Sequence, residues 1–127
     1  MNSDKRKWKR RAKGAANGHR VYRSYKHNAE RRNLSFDFNE DDLIAMTQAP
    51  CHYCGEKGSN VYNEKGSNGI FRYNGIDRVD SSKGYSINNC VPCCKMCNVA
   101  KSTRSVNDFL TWAHRVYSHS VSRIASY

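Results

Sequence analysis

Residues 75–101 read GIDRVDSSKGYSINNCVPCCKMCNVAK and hold the densest pattern in the chain. An acidic pair, Asp77 and Asp80, lies among apolar residues and is followed by a turn at Gly84. A second apolar run then leads into a Cys-x-x-Cys pair and Asn98. Short apolar runs separated by Gly and Ser are typical of strands joined by turns, so this segment predicts strand, loop, strand and helix in that order.

The composition limits the size of the core. The chain has 127 residues, of which 38% are hydrophobic, and its mean hydropathy is -0.89. A single domain this small and polar needs a stabilising element besides apolar burial. The six cysteines offer that element.

The sequence shows neither a membrane-spanning segment nor a signal peptide, and this indicates the cellular setting. It has no run of about 18 apolar residues that could span a membrane, and the basic N-terminus lacks the apolar segment of a signal peptide. We therefore expect an intracellular protein without a membrane partner, cytoplasmic in a bacterial or phage setting. In a reducing compartment, closely spaced cysteines are more often zinc ligands than disulfides.

The positive charge is concentrated near the N-terminus. Residues 1–33 contain 12 Lys and Arg against two acids, a net charge of +10, whereas residues 34–127 contain 10 against 9, a net charge of +1. We interpret residues 1–33 as a basic arm and helix that bind a polyanion, with Trp8 available for stacking, and residues 34–127 as a zinc-binding domain. The alternative for the first 20 residues is a solubilising tail.

Helical patterns flank the central segment. Apolar residues recur at helical spacing over residues 20–33, which predicts an amphipathic helix that docks on the domain. Leu34–Phe38 alternates like a short strand. Asn39 has the position of a helix N-cap, three acids follow it, and Pro50 ends the predicted helix.

Zinc ligands are predicted from the cysteine spacing. There are three Cys-x-x-Cys pairs, and one tetrahedral zinc needs two of them. We choose the first and last pairs because Cys94 closes the second strand and Cys97 falls in the first helical turn. The four predicted ligands are Cys51, Cys54, Cys94 and Cys97. Cys90 and Cys93 then act as small hydrophobic residues of a strand. A closed four-thiolate site braces the fold and leaves no position for substrate.

The remaining segments carry weaker signals. Residues 56–69 are rich in Gly, Ser and Asn and predict a loop, and Phe71–Tyr73 predicts a strand. Ser105 and Asp108 have the spacing of a capping box, with Asp in place of the usual Glu or Gln. The buried face of the last helix is predicted to consist of Phe109, Trp112, Ala113 and Val116.

The central segment resembles the HNH endonucleases of the ββα-metal, or His-Me finger, superfamily. In that family a strand ends in Asp-His, an Asn opens a second strand, and a zinc knuckle leads into a helix with a metal-binding His or Asn. The corresponding residues here are Asp77-Arg78, the loop Gly84-Tyr85, Asn89, Cys94 to Cys97, Asn98 and Lys101. The resemblance covers about residues 48–116 and implies an α+β fold with a zinc-stapled ββα-metal core, flanking helices and a basic N-terminal arm.

The resemblance also implies roles for site residues. Asp77 and Asn98 would bind one catalytic Mg²⁺ or Mn²⁺ through oxygen atoms, and Asn89 would orient the loop. Position 78, where most HNH enzymes carry a water-activating His, is Arg, which is a poor base and a good phosphate ligand. Water would then be activated by another residue or by the cation. The candidate bases are Asp80, Tyr85 and Tyr73.

Simpler structural roles are the alternative for each of these residues. Asp77 and Asp80 could cap a turn, and Arg78 could pair with Asp80. Asn98 could simply be a residue of the first helical turn. The leading hypothesis is a metal-dependent endonuclease that hydrolyses phosphodiester bonds of double-stranded DNA, as a monomer that nicks or as a homodimer. The alternative is a non-catalytic zinc-knuckle protein that binds nucleic acid. A thiol redox role is disfavoured because no βαβ pattern surrounds the cysteine pairs.

Overall fold

The structure is a computed structural model that describes residues 14–63 and 69–126. The basic run and Trp8 therefore lie outside the described residues. The helices are α1 (Ala15–Arg31), α2 (Glu40–Thr47), α3 (Lys95–Lys101) and α4 (Val106–Ser120). The strands are β1 (Phe36–Asp37), β2 (Asn60–Tyr62), β3 (Phe71–Tyr73), β4 (Gly75–Arg78), β5 (Tyr85–Ser86) and β6 (Cys90–Cys93).

Helix α1 begins five residues before the predicted start at residue 20. Asn17 and Gly18 are poor helix formers, but their turn is held by tertiary contacts. The Asn17 side chain donates a 2.6 Å hydrogen bond to the Gly69 carbonyl, and a Cβ on Gly18 would lie 3.2 Å from the Phe71 ring. As the amphipathic pattern predicts, the helix docks on the domain, where Ala29 is fully buried.

Helix α2 follows the cap signal. The Asn39 side chain accepts a 2.8 Å hydrogen bond from the Asp42 backbone N–H, and three acids occupy the first turn. These acids stabilise the positive end of the helix dipole. The helix ends at Thr47, before Pro50, and buries Leu43 completely.

The strands form three two-stranded sheets. β4 and β6 are antiparallel, with Asp77 opposite Val91 and Arg78 opposite Cys90. β1 pairs in parallel with β5, and β2 pairs with β3 in an antiparallel hairpin. The prediction of a loop over residues 56–69 is wrong for Asn60–Tyr62, because this polar segment becomes a strand only through its pairing with β3.

The β4–β6 hairpin separates two clusters of buried residues. One is apolar and aromatic: Ala29, Phe38, Leu43, Ile76, Tyr85 and Cys90. The other consists of Cys51, Cys93 and Cys94, with Tyr53 and Cys97 packed against them. Because neighbouring residues of a strand point to opposite faces, Ile76 faces the apolar cluster and Asp77 faces the cysteine side.

Helix α4 is only partly packed. The Ser105 hydroxyl accepts a 3.0 Å hydrogen bond from the Asp108 N–H, as the capping pattern predicts, and Phe109 is buried. The prediction of a longer buried face is wrong for Trp112 and Val116, which are 43% and 46% exposed. Beyond the first turn this face is only partly covered, with Ala113 half-buried. None of the helices described is long and apolar enough to cross a membrane.

Candidate functional site

The predicted zinc ligands come together. The sulfur atoms of Cys51, Cys54, Cys94 and Cys97 all lie within 4.8 Å of one another. A tetrahedral zinc with Zn–S bonds of about 2.3 Å places its sulfurs roughly 3.8 Å apart. The Sγ atoms of Cys54 and Cys94 are 3.6 Å apart, so the four thiols fit one zinc ion.

Backbone geometry shapes both halves of this cysteine cluster. The first pair lies on a turn in which the Gly55 N–H bonds to the Cys51 carbonyl at 2.9 Å, and Gly55 has φ +79, which favours glycine. In the second pair, Cys94 does not close the strand as predicted, because β6 ends at Cys93. Cys94 is instead the N-cap of α3, and its sulfur accepts the Cys97 N–H at 3.4 Å.

The convergence of the sulfur atoms, rather than the pKa, separates the four clustered thiols from Cys90 and Cys93, because burial also raises the pKa of the clustered Cys97 thiol. Burial raises the pKa of the Cys51 thiol, but N–H donors of Cys94 and Cys54 lower it more, to about 6. The thiolate, which is the form that binds metal, therefore predominates at neutral pH. Burial raises the pKa of Cys90 to about 11 and also raises that of Cys93, so these two remain thiols and pack as small apolar groups.

Asp77 is the buried acid of the site, with 5% of its surface exposed. The Tyr53 hydroxyl donates a 2.7 Å hydrogen bond to its Oδ2 atom. The Lys101 ammonium lies 3.2 Å from Oδ2 and 3.4 Å from Oδ1, and Lys101 is fully buried. A buried carboxylate needs such partners, since an unpaired charge in the interior is costly.

Tyr53 remains a hydrogen-bond donor at neutral pH. Burial, followed by its bond to the Asp77 carboxylate, raises the pKa of its phenol. The phenol therefore keeps its proton and is unsuited to act as a base.

Asn98 lies on the helix that brings Lys101 to this acid. It is one turn before Lys101 on α3, and residues three apart in a helix share a face. Because Lys101 reaches Asp77, this face of α3 lies towards β4. Within residues 14–63 and 69–126, the Asn98 side chain has no protein hydrogen-bond partner, so its amide oxygen is available to a ligand.

Arg78 follows Asp77 but is held by the loop. Its Nη1 atom donates 2.7 Å hydrogen bonds to the carbonyls of Ser81 and Lys83, and its guanidinium lies 5.4 Å from the centre of the Tyr85 ring. The alternative of an Arg78–Asp80 pair is not formed. Lys83 approaches Asp80 instead, at 3.9 Å.

Asn89, the residue before β6, anchors the same loop. Its Oδ1 accepts the Asp80 N–H at 3.0 Å, and its Nδ2 donates to the carbonyls of Asp80 at 3.1 Å and Gly84 at 2.9 Å. The exposed Asp80 carboxylate accepts hydrogen bonds from the hydroxyl and N–H of Ser82, which lower its pKa. Asp80 is thus a turn-capping residue and a weak base.

The two tyrosine candidates differ in their surroundings. Tyr85 is nearly buried in the apolar cluster, and its N–H donates to the Ser35 carbonyl at 2.8 Å. Gly84 is needed there, because a Cβ would lie 2.5 Å from that carbonyl oxygen. Tyr73 stacks on Phe71, and burial raises the pKa of its phenol, which disfavours the ionised form that a base requires.

Sequence reasoning gave no role to Tyr53 and only a motif position to Lys101. Lysine is rarely buried, so the sequence offers no reason to place Lys101 inside the domain. The signal for Lys101 is its spacing of three from Asn98. Tyr53 could be suspected only because it lies between two zinc ligands.

A β-hairpin followed by a helix and braced by a four-cysteine cluster is the arrangement expected of the HNH fold, and the chain has an HNH-like fold. Among solved structures it is similar to the rare-cutting HNH restriction endonuclease PacI, with a TM-score of 0.59 and 24% sequence identity over 84% of this chain and 80% of that chain. This likeness confirms the predicted fold.

A curated relative comes from a large virus. The chain is 33% identical over 89 residues to uncharacterized protein R423 of Acanthamoeba polyphaga mimivirus. The match includes 70% of this chain and only 15% of the length of that protein. No model of a protein family matches the chain.

Proposed function

We propose that this protein is a metal-dependent HNH endonuclease that hydrolyses phosphodiester bonds of double-stranded DNA. The observation that carries the proposal is the buried Asp77 carboxylate on β4, next to Arg78 and facing α3 with Asn98, within an HNH-like fold. A protein that only binds nucleic acid has no need of a pair of cation ligands such as Asp77 and Asn98.

The donor atoms near Asp77 fit a hard divalent cation. Mg²⁺ and Mn²⁺ prefer oxygen ligands, and Mg²⁺ sites in phosphoryl-transfer enzymes use one or two carboxylates together with substrate oxygens and water. Asp77 and Asn98 would hold the ion. When bound, it would neutralise charge on the scissile phosphate.

Arg78 and the loop supply the other parts of the proposed site. The guanidinium of Arg78 is permanently charged and binds a phosphate oxygen, while Asn89 keeps the loop around it in place. The raised pKa of Tyr73 and the lowered pKa of Asp80 make both weak candidates for the base. Tyr85 is the remaining candidate, and its ring contacts Arg78.

The surface charge supports DNA as the substrate. The exposed side of α1 presents basic residues to solvent: Arg23, Lys26, Arg31 and Arg32. Such a face binds the phosphate backbone without reading sequence, so binding should weaken steeply as salt is raised. This feature serves a non-catalytic DNA-binding protein equally well, and only cleavage separates the two functions.

The test is cleavage of supercoiled plasmid in Mg²⁺ or Mn²⁺ by the wild type and by Asp77→Asn and Asn98→Ala. We expect the wild type to cut and each variant to lose cleavage by about 100-fold or more, because removal of electrostatic stabilisation at the reacting phosphate costs on that order. The ratio of nicked to linear product reports whether one strand or both are cut.

Two controls keep this test clear. Asp41→Asn removes an exposed acid of α2 and should cut like the wild type. Asp77→Asn leaves the buried Lys101 charge unpaired and could unfold the protein, whereas Asn98→Ala leaves that ion pair intact. Zinc content and DNA affinity are therefore measured for both variants. A folded wild type that retards DNA but cuts neither plasmid nor branched DNA in either metal would refute the endonuclease and favour the binding protein.

A further inference from the structure

Both partners of Asp77 come from elements that carry zinc ligands. Tyr53 lies between Cys51 and Cys54, and Lys101 ends the helix that Cys94 caps. We propose that Tyr53 is a positioning residue, which fixes one oxygen of Asp77 so that the other is presented to the catalytic cation. This inference rests on the proposed function and adds a role for the zinc knuckle in it.

The two oxygens of Asp77 are not equivalent. Oδ2 accepts the Tyr53 hydroxyl at 2.7 Å and is also the oxygen nearer to the Lys101 ammonium, at 3.2 Å. Among the residues that the structure describes, Oδ1 is contacted only by the Lys101 ammonium, at the longer distance of 3.4 Å. The carboxylate is therefore held through Oδ2, and Oδ1 is the oxygen with capacity left for a metal ion.

The position of Tyr53 is itself fixed by its neighbours. Its ring packs edge-on against Phe109, with ring centres 5.4 Å apart, and against His52 at 5.2 Å. The neighbouring His52 N–H donates to the Pro92 carbonyl at 2.8 Å, which ties the knuckle to β6. These contacts restrain the Tyr53 hydroxyl beside Asp77 and connect the segment that carries Cys51 and Cys54 to the acid.

Residues that hold a metal ligand by a hydrogen bond influence metal affinity strongly. Loss of such a partner typically costs about 10- to 100-fold in affinity or activity. Without the Tyr53 hydroxyl, Lys101 is the remaining partner and contacts both oxygens of Asp77. The Lys101 ammonium then competes more effectively with the divalent cation for the Asp77 carboxylate.

The experiment measures Mn²⁺ binding to the zinc-loaded protein by electron paramagnetic resonance, beside plasmid cleavage as a function of Mn²⁺. Tyr53→Phe removes one hydroxyl and keeps the ring that packs on Phe109. We expect one zinc per chain in this variant and a Kd for Mn²⁺ raised about 10- to 100-fold. Half-maximal cleavage should move to higher Mn²⁺ by the same factor, with the rate at saturation changed less. Tyr117→Phe, on the exposed part of α4, should leave all values unchanged.

The outcomes separate the two proposals. If the wild type neither binds Mn²⁺ nor cleaves, the proposed function is overturned and this inference falls with it. If the wild type does both and Tyr53→Phe has the same Mn²⁺ affinity, the positioning role alone is overturned. Loss of zinc from Tyr53→Phe would also overturn the positioning role, because Tyr53 would then be needed to stabilise the cysteine cluster.

Discussion

The two faces of the β4–β6 hairpin are stabilised in different ways. One face is covered by α1, β1 and α2 and buries aromatic and aliphatic side chains. The other carries the cysteine cluster, the Asp77–Lys101 ion pair and the first turn of α4, with few large apolar groups. The apolar face has the composition of an ordinary core, whereas the cysteine face holds four clustered thiols that could bind a metal ion.

This difference places Asp77 and Lys101 on the face that carries the cysteine cluster, while Arg78 lies against Tyr85 of the apolar cluster. Ile76 and Asp77 are neighbours in one strand, yet one belongs to each face. Stability and activity should therefore respond separately to changes on the two sides. Each of the following predictions tests that separation.

The largest effect is expected from Cys54→Ser, which removes the exposed zinc ligand without disturbing packing. Structural zinc contributes about 10 to 16 kcal/mol in small zinc-finger peptides, as much as the whole stability of about 5 to 15 kcal/mol of a typical domain. We expect loss of bound zinc, a large fall in Tm, and no detectable cleavage, since both partners of Asp77 sit on zinc-anchored elements. Metal analysis, thermal unfolding and the plasmid assay check this. Full cleavage without zinc would show that the cysteine face keeps its structure without a bound metal ion.

On the apolar face, a substitution should lower the free energy of unfolding strongly without changing zinc binding or cleavage. Leu43→Ala empties a fully buried position in α2, which should cost about 2 to 5 kcal/mol of unfolding free energy. Denaturant unfolding in excess zinc measures this cost. The folded fraction should keep one zinc per chain and cleave normally. Leu110→Ala, at a half-exposed position of α4, should change stability by only about 0.5 kcal/mol. Weakened zinc binding in Leu43→Ala would mean that the two faces are coupled.

Sequence patterns predicted the features that depend on local spacing. The four zinc ligands and the caps at Asn39 and Ser105 each follow from residues a few positions apart, and the structure has all of them. The pairing of β2 with β3 was missed, because a polar segment gives no sign of its distant partner.

Long-range contacts were also the missing part of the candidate site. Tyr53 and Lys101 each lie 24 residues from Asp77, and nothing in their local sequence indicates that they meet it. The apolar stripe of α4 shows the converse limit. Its periodicity predicts a face that avoids water, but only the fold determines that Phe109 is covered and Val116 is not.

A smaller effect than that of Leu43→Ala is expected from Cys93→Ala, at the boundary of the two faces. Cys93 is fully buried against the cysteine cluster, but it is not one of the four cysteines whose sulfurs converge. Replacement by Ala removes one buried sulfur and should cost about 1 to 2 kcal/mol by loss of packing. Zinc stoichiometry should stay at one per chain and plasmid cleavage should be unchanged, which metal analysis and the plasmid assay would show together. Loss of zinc from this variant, but not from Cys90→Ala, would make Cys93 a ligand and move the metal site deeper beneath β6.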